Sequence, residues 1–214
     1  MYQAGLKLFR SVREETLRLA GALTESQAAH SPGRNRWSAG EVLDHLLLSE
    51  ALYRERFAAL IELARSGQKP ELYSGFSEVD TSILFIPKAA LPLLEFPFRV
   101  MNYFLPAMAR ETLTRYALLP AQAPGRAQPR RGKPLAVLRQ ELQTSLAQTE
   151  GLFAANPNLD YRAMRLAHPL IGDNNVLQLL RIMALHEQRH QDQIRALRST
   201  SAFPKPTGTN SGLP

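Results

Sequence analysis

Apolar residues recur at three- and four-residue intervals along four stretches of the chain, a periodicity that predicts four long amphipathic helices. The first spans roughly Tyr2 to Ala28, with Phe9, Val12, Thr16, Leu19 and Leu23 on one stripe. The second opens at Ser38 in "SAGE", where Ser38 and Glu41 can satisfy each other's free amides as a capping box, and runs through Leu63. Its inner face reads Val42, His45 or Leu46, Ser49, Leu52 or Tyr53, Arg56 and Leu60. The third begins near Pro134, a residue suited to a first turn, and stops about Ala155 at "NPN". The fourth takes Asn174 or Asn175 as its N-cap and ends near Arg198. No segment alternates polar and β-branched residues for long enough to predict a strand.

The connections differ in length. A short, turn-rich link from Glu25 to Trp37 favours antiparallel packing of the first two helices. Helices two and three are separated by Gly67 to Gly132, far more than an ordinary loop. That insertion is expected to carry a helix around Arg99 to Tyr116, and it is long enough to cross the bundle so that helix three runs parallel to helix two. Residues 1–198 are therefore read as a single helical domain with an insertion at 67–132. The polar, Pro- and Gly-rich segment 199–214 is read as a flexible tail.

Composition narrows the chemistry. The chain of 214 residues has no cysteine, so any metal must be held by His, carboxylate or water. The first twenty residues lack the apolar segment and cleavage site of a secretory leader, and a cytoplasmic location is expected. The most apolar stretch, Ile83 to Pro106, is broken by Lys88, Glu95, Arg99 and four prolines at 87, 92, 97 and 106, which argues against a membrane span. The net charge of +7 owes much to Arg126, Arg130, Arg131, Lys133 and Arg139. Such a patch can attract nucleic acid, an anionic membrane or an acidic small molecule, but no aromatic residue interleaves with it. A solvated basic loop is the plainer reading, and nucleic acid is disfavoured as a partner.

Candidate chemistry centres on "MALHEQRHQDQI", which places His186 and His190 four residues apart on a helix. That spacing sets two imidazoles about 6 Å apart along the axis and about 40° apart around it, close enough to share one metal ion. Val176, Leu179, Met183, His186, His190, Gln193 or Ile194, and Leu197 form one buried line, with Arg181, Gln188, Arg189 and Asp192 off it. Two unpartnered imidazoles there would cost about 1–3 kcal/mol each, a cost that a shared ion removes. His45, on the inner face of helix two, is the natural third ligand, because bundles build metal sites from facing helices. Three neutral histidines leave a coordination position open for water or substrate, as catalytic sites do. The alternative is that each histidine bonds a carbonyl or a water across the core.

"HEQRH" also fits the H-E-x-x-H pattern of metalloproteases, but no His or Glu follows His190 to complete it. Glu187 remains the candidate catalytic base, one residue from a ligand; the competing role is a solvent-facing helix residue. His168, in "LAHPLIGDNN", and His30, ahead of Ser31-Pro32, read as structural or exposed.

Two blocks, Arg36 to Phe57 and Ala167 to Leu197, resemble the DinB-like superfamily, which includes the YfiT-type metal-dependent hydrolases. The shared features are a Trp before helix two, a His eight residues later, an "HPLIG" loop, and a His-x-x-x-His pair on the last helix. In this chain they are Trp37, His45, His186 and His190. The resemblance implies an all-α four-helix bundle of up-down-down-up topology, a His-triad metal site at one end, and often a homodimer. Some relatives activate a low-molecular-weight thiol on the metal. The implied function is a metal-dependent enzyme in which Zn²⁺ or Ni²⁺ activates water or a cosubstrate thiol for hydrolysis or thiol transfer to a small molecule. With no cysteine in the chain, such a thiol comes from a cosubstrate, whose carboxylates the segment Arg126 to Arg139 could hold. A non-catalytic metal or ligand binder, and an interaction module using the basic loop, are the competing classes. The insertion departs from a compact member of the superfamily. Its Phe85, Phe96, Phe98, Tyr103 and Phe104 are too many to expose singly, and they are expected to cover the metal site or, preferentially, a dimer interface.

Overall fold

The computed structural model describes residues 2–34, 36–76, 88–104, 106–116 and 123–205. Its helices are α1 (Tyr2–Gly21), α2 (Glu25–Ala29), α3 (Ala39–Arg65), α4 (Glu95–Phe104), α5 (Ala107–Tyr116), α6 (Leu135–Ala154) and α7 (Val176–Arg198). Short 3₁₀ turns occupy Lys88–Leu94 and Gly125–Ala127. Strands β1 (Glu71–Tyr73), β2 (Arg165–His168) and β3 (Gly172–Asn175) form a small sheet in that order, β1–β2 parallel and β2–β3 antiparallel. The architecture is an all-α bundle of α1, α3, α6 and α7.

Cross-helix pairs give the directions. Arg13 meets Glu187 and Glu15 meets Arg195, so α1 and α7 run parallel. Asp44 meets Lys133 and Arg54 meets Ser145, so α3 and α6 also run parallel. Trp37 stacks near His190 while His45 reaches His186, which sets α3 antiparallel to α7. The topology is up-down-down-up, as expected, and the insertion is what allows α6 to follow α3 in the same direction.

Local signals account for the helix ends. Ser38 and Glu41 form the capping box of α3, with Ser38 Oγ accepting from Glu41 N at 3.2 Å and Glu41 Oε2 accepting from Ser38 N at 2.9 Å. Asn175 and Gln178 do the same for α7. The first predicted helix divides in two. Thr24 and Gln27 make a third capping box that starts α2, a T-x-x-Q signature present in "TESQ" and passed over in the periodicity. The sheet is also new. Strands of three or four residues such as "GDNN" are too short and polar to show alternation, and the turn between β2 and β3 is made by Gly172 at φ 77°.

The core is split. One apolar cluster includes Leu6, Phe9, Phe57, Phe153, Leu179 and Met183; the other includes Ala20, Val42, Leu43, Leu138, Ile194 and Leu197. Between them on each helix lies a buried polar layer: Arg13 and Thr16, then His45, Ser49 and Glu50, then Ser145 and Thr149, then Glu187, His190 and Gln191. Desolvated polar groups persist only when partnered. Here they are: Gln191 Nε2 donates to Val12 O and Thr16 Oγ1, and Thr149 Oγ1 donates to Glu50 Oε1 at 2.6 Å.

The insertion and the tail both pack on the bundle where they are described. The helix expected around Arg99 to Tyr116 is two helices, α4 and α5, with Pro106 between them. Helix α5 lies along α7, joined by Arg181–Glu111 and Arg115–Asp192. Phe85 lies outside the described residues. Of the tail read as flexible, residues 199–205 dock: Phe203 packs edge-on against His30, and Gln27 Nε2 donates to Pro204 O at 2.8 Å. Residues 206–214 lie outside the described residues.

Candidate metal centre

The three histidines meet. His186 and His190 project from α7 one turn apart, and His45 faces them from α3, so the two antiparallel helices present their imidazoles to one point. His186 Nε2 lies 3.4 Å from His45 Nε2 and 3.2 Å from His190 Nε2. One ligand atom from each ring lies within 4.8 Å of the others. Tetrahedral ligands with bonds of about 2.0–2.1 Å sit about 3.3–3.4 Å from one another, so these two edges match a zinc-like coordination sphere.

Second contacts fix which nitrogen each ring offers. His45 Nδ1–H donates to Ala127 O at 2.7 Å, and His190 Nδ1–H donates to Gln193 Oε1 at 2.9 Å. Both rings therefore turn a bare Nε2 lone pair toward the centre, the orientation that second contacts impose on histidine ligands. A proton on His186 Nε2 can satisfy one of these lone pairs, and the Ser49 hydroxyl, 3.3 Å from His45 Nε2, can satisfy another. A single cation would satisfy all three rings at once. Burial lowers the His45 pKa to about 4 and pushes His186 and His190 well below the ordinary value, with mutual repulsion and Arg189 adding to the effect. The rings are neutral at pH 7, which is the metal-binding form. Three histidines so placed, His45 and His190 buried and His186 half-buried, could hold a divalent ion.

The cluster opens onto a cavity of about 730 Å³. Trp37, Leu52, Tyr53, Leu166 and Ile171 supply apolar surface, and Ser49, Arg56, His168 and Arg189 supply polar groups. The end of the insertion, residues 123–131, forms one wall, so the backbone that holds His45 also shapes the cavity. Trp37 lies over the triad, with ring centroids 4.7 Å from His45 and 6.3 Å from His190.

Glu187 does not behave as its place in "HEQRH" suggests. It is buried, and Arg13 takes both its carboxylate oxygens, Nε to Oε1 at 2.8 Å and Nη2 to Oε2 at 2.8 Å. Arg13 also donates to Glu50 Oε2 at 2.9 Å and to Leu142 O at 2.7 Å. One step along the helix from His186 turns a side chain by about 100°, toward α1 rather than toward the metal position. Glu187, Glu50 and His186 nonetheless border a common void of about 10 Å³. Arg13 itself gave no usable signal, because an arginine beside an apolar stripe reads as solvated unless its partners, far off in sequence, are known.

The basic loop is not a free patch. Arg126 pairs with Glu55, Arg131 with Glu41, and Arg130 and Lys133 with the fully buried Asp44. These cations clamp the insertion's end onto α3. Counted off the buried line from sequence, Arg189 in fact lines the cavity beside the triad.

His168 is a structural histidine of the cavity wall, with Nδ1 accepting from Leu170 N at 3.1 Å and Ile171 N at 3.4 Å. Burial, with a contribution from Arg56, lowers its pKa to about 4. An unfolded histidine titrates near about 6.5. Its folded pKa is depressed, so its stabilising contribution is complete above about pH 6.5 and is lost as pH falls toward 4. His168→Asn, which keeps an acceptor but cannot titrate, should therefore flatten the decline in urea-unfolding free energy between pH 6.5 and 4 in chelator-treated protein. An unchanged slope would assign the acid sensitivity elsewhere.

Among the described residues, no helix is long and apolar enough to cross a membrane. Searches of curated proteins and of solved structures give no match. The family model of the DinB superfamily does match, over residues 8–194, which takes in all four bundle helices, the insertion and the three histidines. A match of that extent, on a bundle with this triad at its centre, makes the chain a member of the DinB superfamily.

Proposed function

We propose that the protein is a metal-dependent enzyme acting on a small molecule, with His45, His186 and His190 holding one Zn²⁺ or Ni²⁺ ion. The observation that carries this reading is the convergence of three neutral imidazoles, two edges at tetrahedral spacing, beside a 730 Å³ cavity that His45 and His186 line. Such an ion, when bound, supplies a Lewis acid that brings water or a thiol cosubstrate toward its deprotonated form near neutral pH. The chain's own residues do the rest. Ala127 O and Gln193 Oε1 hold two rings in the ligating tautomer, and Trp37 with the apolar wall limits access of bulk water. The Ser49 hydroxyl sits at the edge of the triad, where it can hydrogen-bond a group approaching the open side. Glu187 is assigned to the scaffold, since both its oxygens are engaged by Arg13.

Elemental analysis of protein purified without a histidine tag should find about one divalent ion per chain. Protein without such an ion, and unable to take one up on dialysis, would defeat the metal reading. Turnover is checked next, by following thiol consumption or hydrolysis with the loaded protein; binding without turnover would assign the chain to the non-catalytic class.

The described insertion leaves Leu93, Phe96, Val100, Phe104 and Met108 exposed, and the last four, in α4 and α5, recur every four residues. We read this stripe as the surface through which two copies associate, the preferred role of the insertion. Phe96→Glu together with Val100→Glu should convert a dimer to a monomer in sedimentation velocity. A wild-type monomer at micromolar concentration would exclude it.

A further inference from the structure

Arg189 stands apart from the other charged groups around the cavity. Arg126 and Arg131 have carboxylate partners at 2.9 and 3.0 Å. Arg189 has no ion pair or hydrogen bond to any described residue, although it is partly buried on the cavity wall. The acids nearest to it along α7 are already engaged: Glu187 by Arg13, and Asp192 by Arg195 and Arg115. Glu41, the cavity's own carboxylate, is held by Ser38 N and Arg131. The neutral triad offers the guanidinium no counter-charge, and a divalent ion there would add to the positive field. A half-buried arginine with no anion beside it among the described residues is an incomplete pair, and its planar fork of donors matches the oxygens of a carboxylate or phosphate.

We propose that Arg189 is the anion-recognising residue of this cavity, and that the small molecule it takes carries a carboxylate or phosphate joined to an apolar body. This rests on reading the cavity as the small-molecule site, but not on which ion the triad holds. Position supports it. Arg189 follows His186 by three residues and precedes His190 by one, so an oxyanion on its guanidinium is anchored within one helical turn of the triad. The body of the ligand then lies along Leu52, Leu166, Leu170 and Ile171, while Ser49 and Tyr53 line the same space with hydroxyl groups. Burial raises the Tyr53 pKa to about 12, which keeps its phenol a hydrogen-bond donor throughout the working range. The volume suits a compact organic acid, because ligand cavities run from about 300 to 1,000 Å³.

Trp37 is the one tryptophan of the chain and lines this cavity, so its fluorescence reports occupancy directly. The probes are 3-phenylpropionate, phenyl phosphate and the neutral 3-phenylpropanol, titrated into the full chain both loaded with Zn²⁺ and stripped by chelator. In stripped protein at least one anion should bind at least about tenfold more tightly than the alcohol, and which anion wins distinguishes carboxylate from phosphate. Arg189→Gln should bring that ratio to about one, and Arg189→Lys should retain part of it. Because Arg189 has no hydrogen-bonded or ionic partner to lose among the described residues, Arg189→Gln should melt no lower than wild type, so the loss cannot come from misfolding. Equal binding of the three probes, no quenching by any of them, or an undiminished ratio in Arg189→Gln would each overturn the inference. An anion preference without a metal ion would leave it standing while defeating the metal reading; a bound ion without anion preference would do the reverse.

Discussion

Replacing His186 by alanine is expected to abolish the stabilisation that a divalent ion confers on this fold. His186 is the hub of the triad, with its Nε2 at 3.4 Å from His45 and 3.2 Å from His190, so its loss leaves two rings that share no third ligand. An ion that binds the folded state alone stabilises it by RT ln(1 + [L]/Kd), about 4 kcal/mol at a thousandfold excess over Kd. For a domain of this size that corresponds to a rise of roughly 10 °C in melting temperature. Wild type stripped by chelator should therefore regain about that much on adding Zn²⁺ or Ni²⁺, and His186→Ala should regain none. The two stripped proteins should melt close together, since truncation removes a neutral ring at the cavity's edge rather than an apolar core residue. An equal metal response in the variant would remove His186 from the ligand set. A wild type indifferent to both ions and to chelator would remove the metal.

The histidine triad was legible because its geometry is local or nearly so. A four-residue histidine spacing is visible within one helix, and His45 is marked by its place between Val42 and Ser49 on an inner face. The three capping boxes are equally local, including Thr24–Gln27, whose signature was present but outweighed by the continuing apolar stripe of α1. What could not be read depends on pairing across the chain. The acceptor that orients His45 is a backbone carbonyl of Ala127, and a carbonyl has no sequence signature. The sheet joins β1 within the insertion to β2 more than ninety residues later, from strands too short for alternation to register. Arg189 fell off the apolar line because periodicity ranks faces by hydrophobicity, and a cavity wall is neither core nor open surface. The basic loop looked like a patch because charge counts do not reveal that Glu41, Asp44 and Glu55 face it from α3.

Glu187 shows the same limit at larger energetic scale, and the strongest stability effect is expected at its partner. Arg13 is 1% exposed, and its guanidinium meets Glu187, Glu50 and the Leu142 carbonyl. Burial alone would disfavour its charge; Glu187 and then Glu50 outweigh that penalty and raise its pKa. Removing one member of such a buried cluster strands the charge left behind, at about 3–5 kcal/mol. Arg13→Ala and Glu187→Ala should each lower the urea-unfolding free energy by about that amount. Arg13→Ala is expected to be the worse, since it abandons two carboxylates while Glu187→Ala leaves Arg13 paired with Glu50. The double variant should cost clearly less than the sum, because the second truncation relieves the charge exposed by the first. Glu187→Gln separates scaffold from catalyst: a supporting carboxylate predicts lost stability with one ion still bound per chain. A general base predicts the opposite, a fold as stable as wild type with turnover reduced by about two to four orders of magnitude. Additive single-variant costs, or a fully stable Glu187→Gln, would return Glu187 to the active site and leave Arg13 as its positioning partner.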